Sequence, residues 1–178
     1  MIQIGSPMAG INQITAAYLP AEDRLLLRIS SQAGEEFRFW LTRRVVAGLL
    51  SAFGRVVDSW AETVTPDDIP GREVLLDFKR EQLAAQGDFS KSYDQEDKTL
   101  PFGEAALLVV GVNVQLVADG AVLNFTLADG RNMRLQLDIR LLSGFHRILS
   151  DSVLKAEWQI DLSAPALPAI PSVSCVVQ

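Results

Sequence analysis

Few side chains in this 178-residue chain could do covalent or acid–base chemistry. It has one histidine, His146, and one cysteine, Cys175. A general base needs a nucleophile and an orienting partner beside it, and a structural zinc needs four thiolate or imidazole ligands. Neither set can be assembled here, and a single cysteine excludes an intrachain disulfide. His146 falls on the flank of a helical stretch, where it reads as a residue at the edge of the core. Cys175 lies in an apolar terminal stretch with no cationic neighbour to lower its thiol pKa, so it reads as a small hydrophobe. The chain contains no G-x-x-x-x-G-K-[ST] phosphate loop, no G-x-G-x-x-G after a strand and no G-x-S-x-G elbow.

Carboxylates are more plentiful. Glu73, Asp77 and Glu81 stand at i, i+4 and i+8, one face of a helix, with Lys79 and Arg80 close by. This pattern predicts a solvated face. Asp94, Glu96 and Asp97 supply hard oxygens but lack the glycine turn and distant glutamate of a calcium loop. Asp67-Asp68 precedes a helix and reads as a cap. The expectation is therefore a non-catalytic chain with no cofactor and no metal.

The remaining candidates are cations and an aromatic. Arg28, Arg38 and Arg134, with Trp40, fall at the outward positions of alternating segments. Arginine and tryptophan on a sheet face can stack bases and hold phosphates. The same arginines can simply pair with neighbouring acids, Arg38 with Glu36 for instance.

Charge is unevenly spread. The chain carries 16 Lys+Arg against 22 Asp+Glu, net -6. Between Asp58 and Glu104 there are 12 acidic and 5 basic residues, whereas Ile11–Val57 and Ala105–Ala156 are net +2 and +1. The acidity belongs to the middle of the chain, so the overall balance does not exclude a polyanionic partner.

The elements that must position these residues repeat. Shifting the chain by 96 residues aligns Leu27 with Leu123, Gly34 with Gly130, Arg38 with Arg134, Leu41 with Leu137, Arg44 with Arg140, Gly48 with Gly144 and Val57 with Val153. These are 7 identities over 33 ungapped positions, where ordinary composition gives roughly two. Each copy reads as three strands and a helix. Asn12–Tyr18, Arg24–Ser30 and Glu36–Leu41 alternate with period two. Val46, Leu49, Leu50, Phe53, Val57 and Trp60 then recur at helical spacing behind a Thr42 cap. The second copy has strands near Ala105–Val117, Val122–Leu127 and Arg131–Leu137, separated by Asp-Gly turns. A helix follows, capped by Asp138, with Leu141, Leu142, Phe145, Leu149 and Val153 on its face.

The predicted fold class is thus α+β: two antiparallel meander-plus-helix units (βββα-linker-βββα) joined by a connector helix. Residues 1–62 form the first repeat and 63–104 an acidic connector. That connector holds a short helix whose apolar face is Val74, Leu75 and Phe78, with Leu83 to its side. Residues 105–162 form the second repeat, with Trp158–Leu162 a last strand, and 163–178 an Ala/Pro-rich tail with an apolar end able to dock as an edge strand. The run Glu22-Asp23-Arg24-Leu25-Leu26-Leu27-Arg28, followed by Phe37-Arg38-Phe39-Trp40-Leu41-Thr42-Arg43-Arg44, resembles an uncharacterised bacterial protein family. The resemblance covers Glu22 to Arg44 and implies no function. In element order the chain is similar to the Whirly and PUR-type single-stranded nucleic-acid binders.

Two functions follow as expectations. The first is a protein-interaction or scaffolding module that self-associates, as a homodimer, because mean hydropathy is high (+0.18) and the sheets leave open edges. The alternative is a single-stranded nucleic-acid binder using Arg28, Arg38, Trp40 and Arg134. The start lacks a basic n-region and a long apolar core, and no apolar run is long enough to span a bilayer, so a cytoplasmic location without membrane contact is expected.

Overall fold

Strand-forming alternation and glycine turns dictate two meanders. In the computed structural model, which describes residues 10–85 and 98–160, β1 (Ile11–Leu19), β2 (Arg24–Ser31) and β3 (Glu36–Leu41) pair antiparallel. Gly34 (φ 77°) makes the second turn, where its N–H donates to the Ser31 carbonyl and Ser31 N–H to that of Glu35. After α1 (Arg43–Val64) and α2 (Arg72–Ala85) come β4 (Leu107–Val117), β5 (Gly120–Leu127) and β6 (Asn132–Asp138), again antiparallel, and α3 (Ile139–Lys155). Gly130 (φ 86°) turns the chain between β5 and β6. Its N–H donates to Leu127, and Leu127 N–H donates to Arg131. The fold is α+β, with a six-stranded mixed sheet and three helices among the described residues.

The sheet order is β1-β2-β3-β4-β5-β6, and the join at its centre is parallel. It consists of two pairs only, Phe39 with Leu107 and Trp40 with Leu108. The other end of β3 is held by the chain leading into β4. Glu36 N–H donates to the Thr99 carbonyl and Thr99 N–H to that of Gly34. This places Phe102 edge-on against Phe37 and Phe39 (centroids 5.1 and 6.4 Å), with the Arg131 guanidinium 4.6 Å above its ring.

Thr42 and Asp138 end their strands and cap the helices that follow. Val45 N–H donates to Thr42 Oγ1 (3.4 Å) and Leu141 N–H to Asp138 Oδ1 (2.8 Å). Both helices bury their apolar stripes on the same face of the sheet. α1 lies over β4 and β5, while α3 reaches from β5 and β6 across to β1. Phe53 and Phe145 meet where the helices touch (centroids 5.3 Å). One continuous core results, in which Phe39, Phe53, Phe125 and Phe145 are fully buried. Each such side chain contributes roughly 1.5–3 kcal/mol through the apolar area it removes from water. The α1 stripe is completed by Val56 and Ala61, with the expected Val57 and Trp60 only half-buried.

Two local expectations are corrected. Among the described side chains of α2, which contacts α1 and α3, Leu76 and Leu83 are buried, whereas Val74 and Phe78 are 74% and 56% exposed. With apolar residues on both sides of so short a helix, tertiary packing decides which side faces in. Trp158–Ile160 forms no strand. Instead Trp158 packs edge-on against Tyr18 (5.8 Å), and its indole Nε1–H donates to Asp23 Oδ1 (2.8 Å). Asp94, Glu96, Asp97, Cys175 and the tail 163–178 lie outside the described residues.

Candidate functional site

Every strand residue of the core cluster belongs to the helix-covered face. The alternate residues form the outer face, over which no described helix packs. Arg28, Arg38, Trp40 and Arg134 all stand on it. Three of them are neighbours: Arg28 is the cross-strand partner of Arg38, and Trp40 follows two residues along β3. Arg134, opposite Asn124 on β6, is exposed and three strands from β3, about 14 Å at the usual strand spacing.

Arg38 is held in place. Its Nε donates to Glu36 Oε1 (2.5 Å) and its Nη1 to the Glu104 carbonyl (3.1 Å). Glu36 is only 5% exposed, so its charge is compensated where water is largely excluded. Arg38 thus ties β3 to the segment entering β4, with its charge already balanced.

The outer face also carries an apolar row that residue-type reasoning missed. Ala17 pairs with Leu26, Leu26 with Trp40, and Trp40 with Leu108, so the four cross β1 to β4 in register. Ala17 is exposed and the other three half-buried. Arg24 stands in the row on one side of it, and Arg28 and Arg38 in the row on the other. Leu26 was visible as the residue of outward parity between Arg24 and Arg28, flanked by the inward Leu25 and Leu27. Leu108 was hidden, because the run from Ala105 to Val110 is apolar at both parities and β4 then bulges at Val110.

The other candidates are less concentrated. Glu73, Asp77 and Glu81 are exposed along α2. Arg80 bonds Asp77 (2.7 Å) and reaches Asp58 of α1 (2.8 Å). Asp67 and Asp68 do not cap α2 as expected, because the helix begins only at Arg72, five and four residues further on; Asp67 instead accepts from the Arg72 guanidinium (3.3 Å). His146 is half-buried on α3, and burial pushes its pKa below the ordinary histidine value against a weaker opposing pull from Asp58. Among the described residues, no three His, Cys, Asp or Glu side chains gather closely enough to share a metal, and no helix is long and apolar enough to cross a membrane. Comparison of the chain with known protein families, with curated proteins and with solved structures finds no match.

Proposed function

We propose that this protein is a non-catalytic interaction module that associates with itself, built by tandem doubling of a βββα unit. Several matches 96 residues apart support the doubling. Gly34 and Gly130 make the same turn with the same pair of hydrogen bonds. Leu25 pairs with Leu41 as Ala121 does with Leu137. Thr42 and Asp138 each cap through the N–H three residues on. The observation that carries the association is the Ala17–Leu26–Trp40–Leu108 row, apolar, in register and outside the core. A row of this kind gains by being covered.

Light scattering on size-fractionated protein over a wide concentration range tests the reading. The expected result is a mass above that of the 19.5 kDa chain, falling toward it when Leu26→Asp is introduced with the circular dichroism spectrum retained. A single-chain mass at every concentration overturns it.

A second reading, single-stranded nucleic-acid binding, is favoured by the position of Arg28, Arg38, Trp40 and Arg134 on one face. Against it stands the engagement of Arg38 with Glu36. Anisotropy of labelled oligonucleotides at low salt should show binding that weakens steeply with salt and is lost in Arg38→Ala/Arg134→Ala. Absence of binding at micromolar protein ends this reading.

A further inference from the structure

We propose that the outer edge of β6 is a docking site for a strand, and that its occupant is this chain's own segment before β1, residues 1–9. The inference rests on the doubling proposed above, not on the self-association. The two meanders repeat each other rung by rung. Adding 98 to each β1 residue and 96 to each β2 residue turns all eight β1–β2 pairs into the eight β4–β5 pairs, with the bulge after Ile11 falling on the bulge after Val109. The two offsets differ because the β1–β2 turn is two residues longer than the β4–β5 turn. The bond from Gln32 N–H to the Gly10 carbonyl recurs as Ala128 N–H to the Leu108 carbonyl. With 96 added throughout, all six β2–β3 pairs recur between β5 and β6.

The units differ at one edge. On its far side β3 is covered by the chain entering β4. Glu36 N–H donates to the Thr99 carbonyl, Phe102 packs against Phe37 and Phe39, and Gly103 turns with a φ of 88°. Phe39 and Trp40 then pair with Leu107 and Leu108. Among the described residues β6 pairs with β5 only. A bare edge of this kind invites a strand, and proteins commonly cover it.

The offset of 98 between β1 and β4 says what covers it, because it carries residues 99–107 onto 1–9. The residue types agree where the contact needs them. Ile2 falls on Leu100, Ile4 on Phe102 and Gly5 on Gly103, so the wedge stays apolar and glycine recurs where the backbone takes a positive φ. The seat agrees as well. Phe37 and Phe39 correspond to Met133 and Leu135, both buried in the core. The register then sets Met1 beside Arg131 and Ala9 beside Leu135. Helix α3 touches β1 as well as β6, so the segment departs from under the same helix that lies along the edge it fills.

Disulfide trapping on the full chain, in a Cys175→Ser background, tests the docking. Met8→Cys with Arg134→Cys sets two outward positions side by side in this register, within the Cα separation a disulfide spans. Trp40→Cys with Leu108→Cys does the same at the observed join of β3 and β4. Mild oxidation of dilute protein should bridge both pairs within one chain. Ile4→Asp puts a charge in the apolar wedge, so it should slow the bridge between positions 8 and 134 by about tenfold or more and leave the one between 40 and 108 unchanged. The amide of Asn132, which stands on β6 where Glu36 stands on β3, should exchange slowly in the wild type and about tenfold or more faster in Ile4→Asp. A bridge at 40 and 108 with none at 8 and 134 overturns the docking while leaving the doubling standing. A bridge between 8 and 134 that forms only between chains also overturns it, since a second copy then supplies the strand. Failure of both pairs removes the register on which the doubling itself is read.

Discussion

Asp23 turns the corner between β1 and β2 with a positive φ of 47°, a conformation that aspartate and asparagine tolerate better than most residues. Its carboxylate accepts from the Trp158 indole N–H and the Tyr18 hydroxyl. These two bonds, the indole first, hold its pKa below the ordinary aspartate value, with Arg43 adding a smaller pull. The unfolded chain therefore takes up a proton before the folded one does. The stabilisation is complete at neutral pH and is lost as pH falls through the depressed native pKa. Asp23→Asn keeps the backbone preference and removes the charge. Its urea midpoint should lie below wild type at neutral pH, and the gap should close as the titration passes below the carboxylate range. Glycines separate strain from propensity in the same way. A Cβ on Gly120 would collide with the backbone of Leu137 and Asp138, which cannot move aside cheaply. Gly120→Ala should cost about 1–3 kcal/mol or more. Gly48, inside α1 with open space around it, is the contrast. Gly48→Ala should stabilise by about 0.5–1 kcal/mol in thermal melts.

At the scale of elements, the two long helices differ in how they begin. Asp138 accepts a short bond from Leu141 N–H and adds a negative charge at the helix N-terminus, whereas Thr42 makes a longer, neutral one. Both truncations to alanine should destabilise by about 1 kcal/mol, Asp138→Ala by the larger margin, as urea midpoints will register. Elements with one dominant signal were legible in the sequence: β3 was read at Glu36–Leu41, its observed bounds, and both caps were read correctly. Where two signals compete, the sequence is mute. α2 has apolar residues on two sides, and only its contact with α1 and α3 selects Leu76 and Leu83. The strand expected at Trp158 gives way to a docked indole whose acceptor lies 135 residues away, a distance no local pattern encodes. The same limit applies to the candidate face. Alternation put Arg28, Arg38 and Trp40 outward, but the pairing of Trp40 with Leu108 depends on a parallel contact 68 residues distant, which turns separate side chains into one row.

For the molecule as a whole, the crossing of the helices is decisive. α1 follows β3 yet covers β4 and β5; α3 follows β6 yet reaches β1, where Trp158 locks onto Tyr18. Neither three-strand unit is covered by its own helix alone. Urea should therefore unfold the described fold in one transition, with tryptophan fluorescence and circular dichroism coincident, and a fragment ending after α2 should remain unfolded. Two separable transitions would contradict this. The parallel join of β3 and β4 has a consequence for the order of events. The hairpins on either side close over a few residues, whereas the two central rungs wait for a 65-residue excursion from Leu41 to Leu107 to find its return, an entropic delay that short turns do not face. These rungs should therefore form last on refolding, so that in stopped-flow urea jumps Leu108→Ala should hasten unfolding while leaving the refolding rate nearly unchanged, making the middle of the sheet, not its rim, the kinetic gate of the protein.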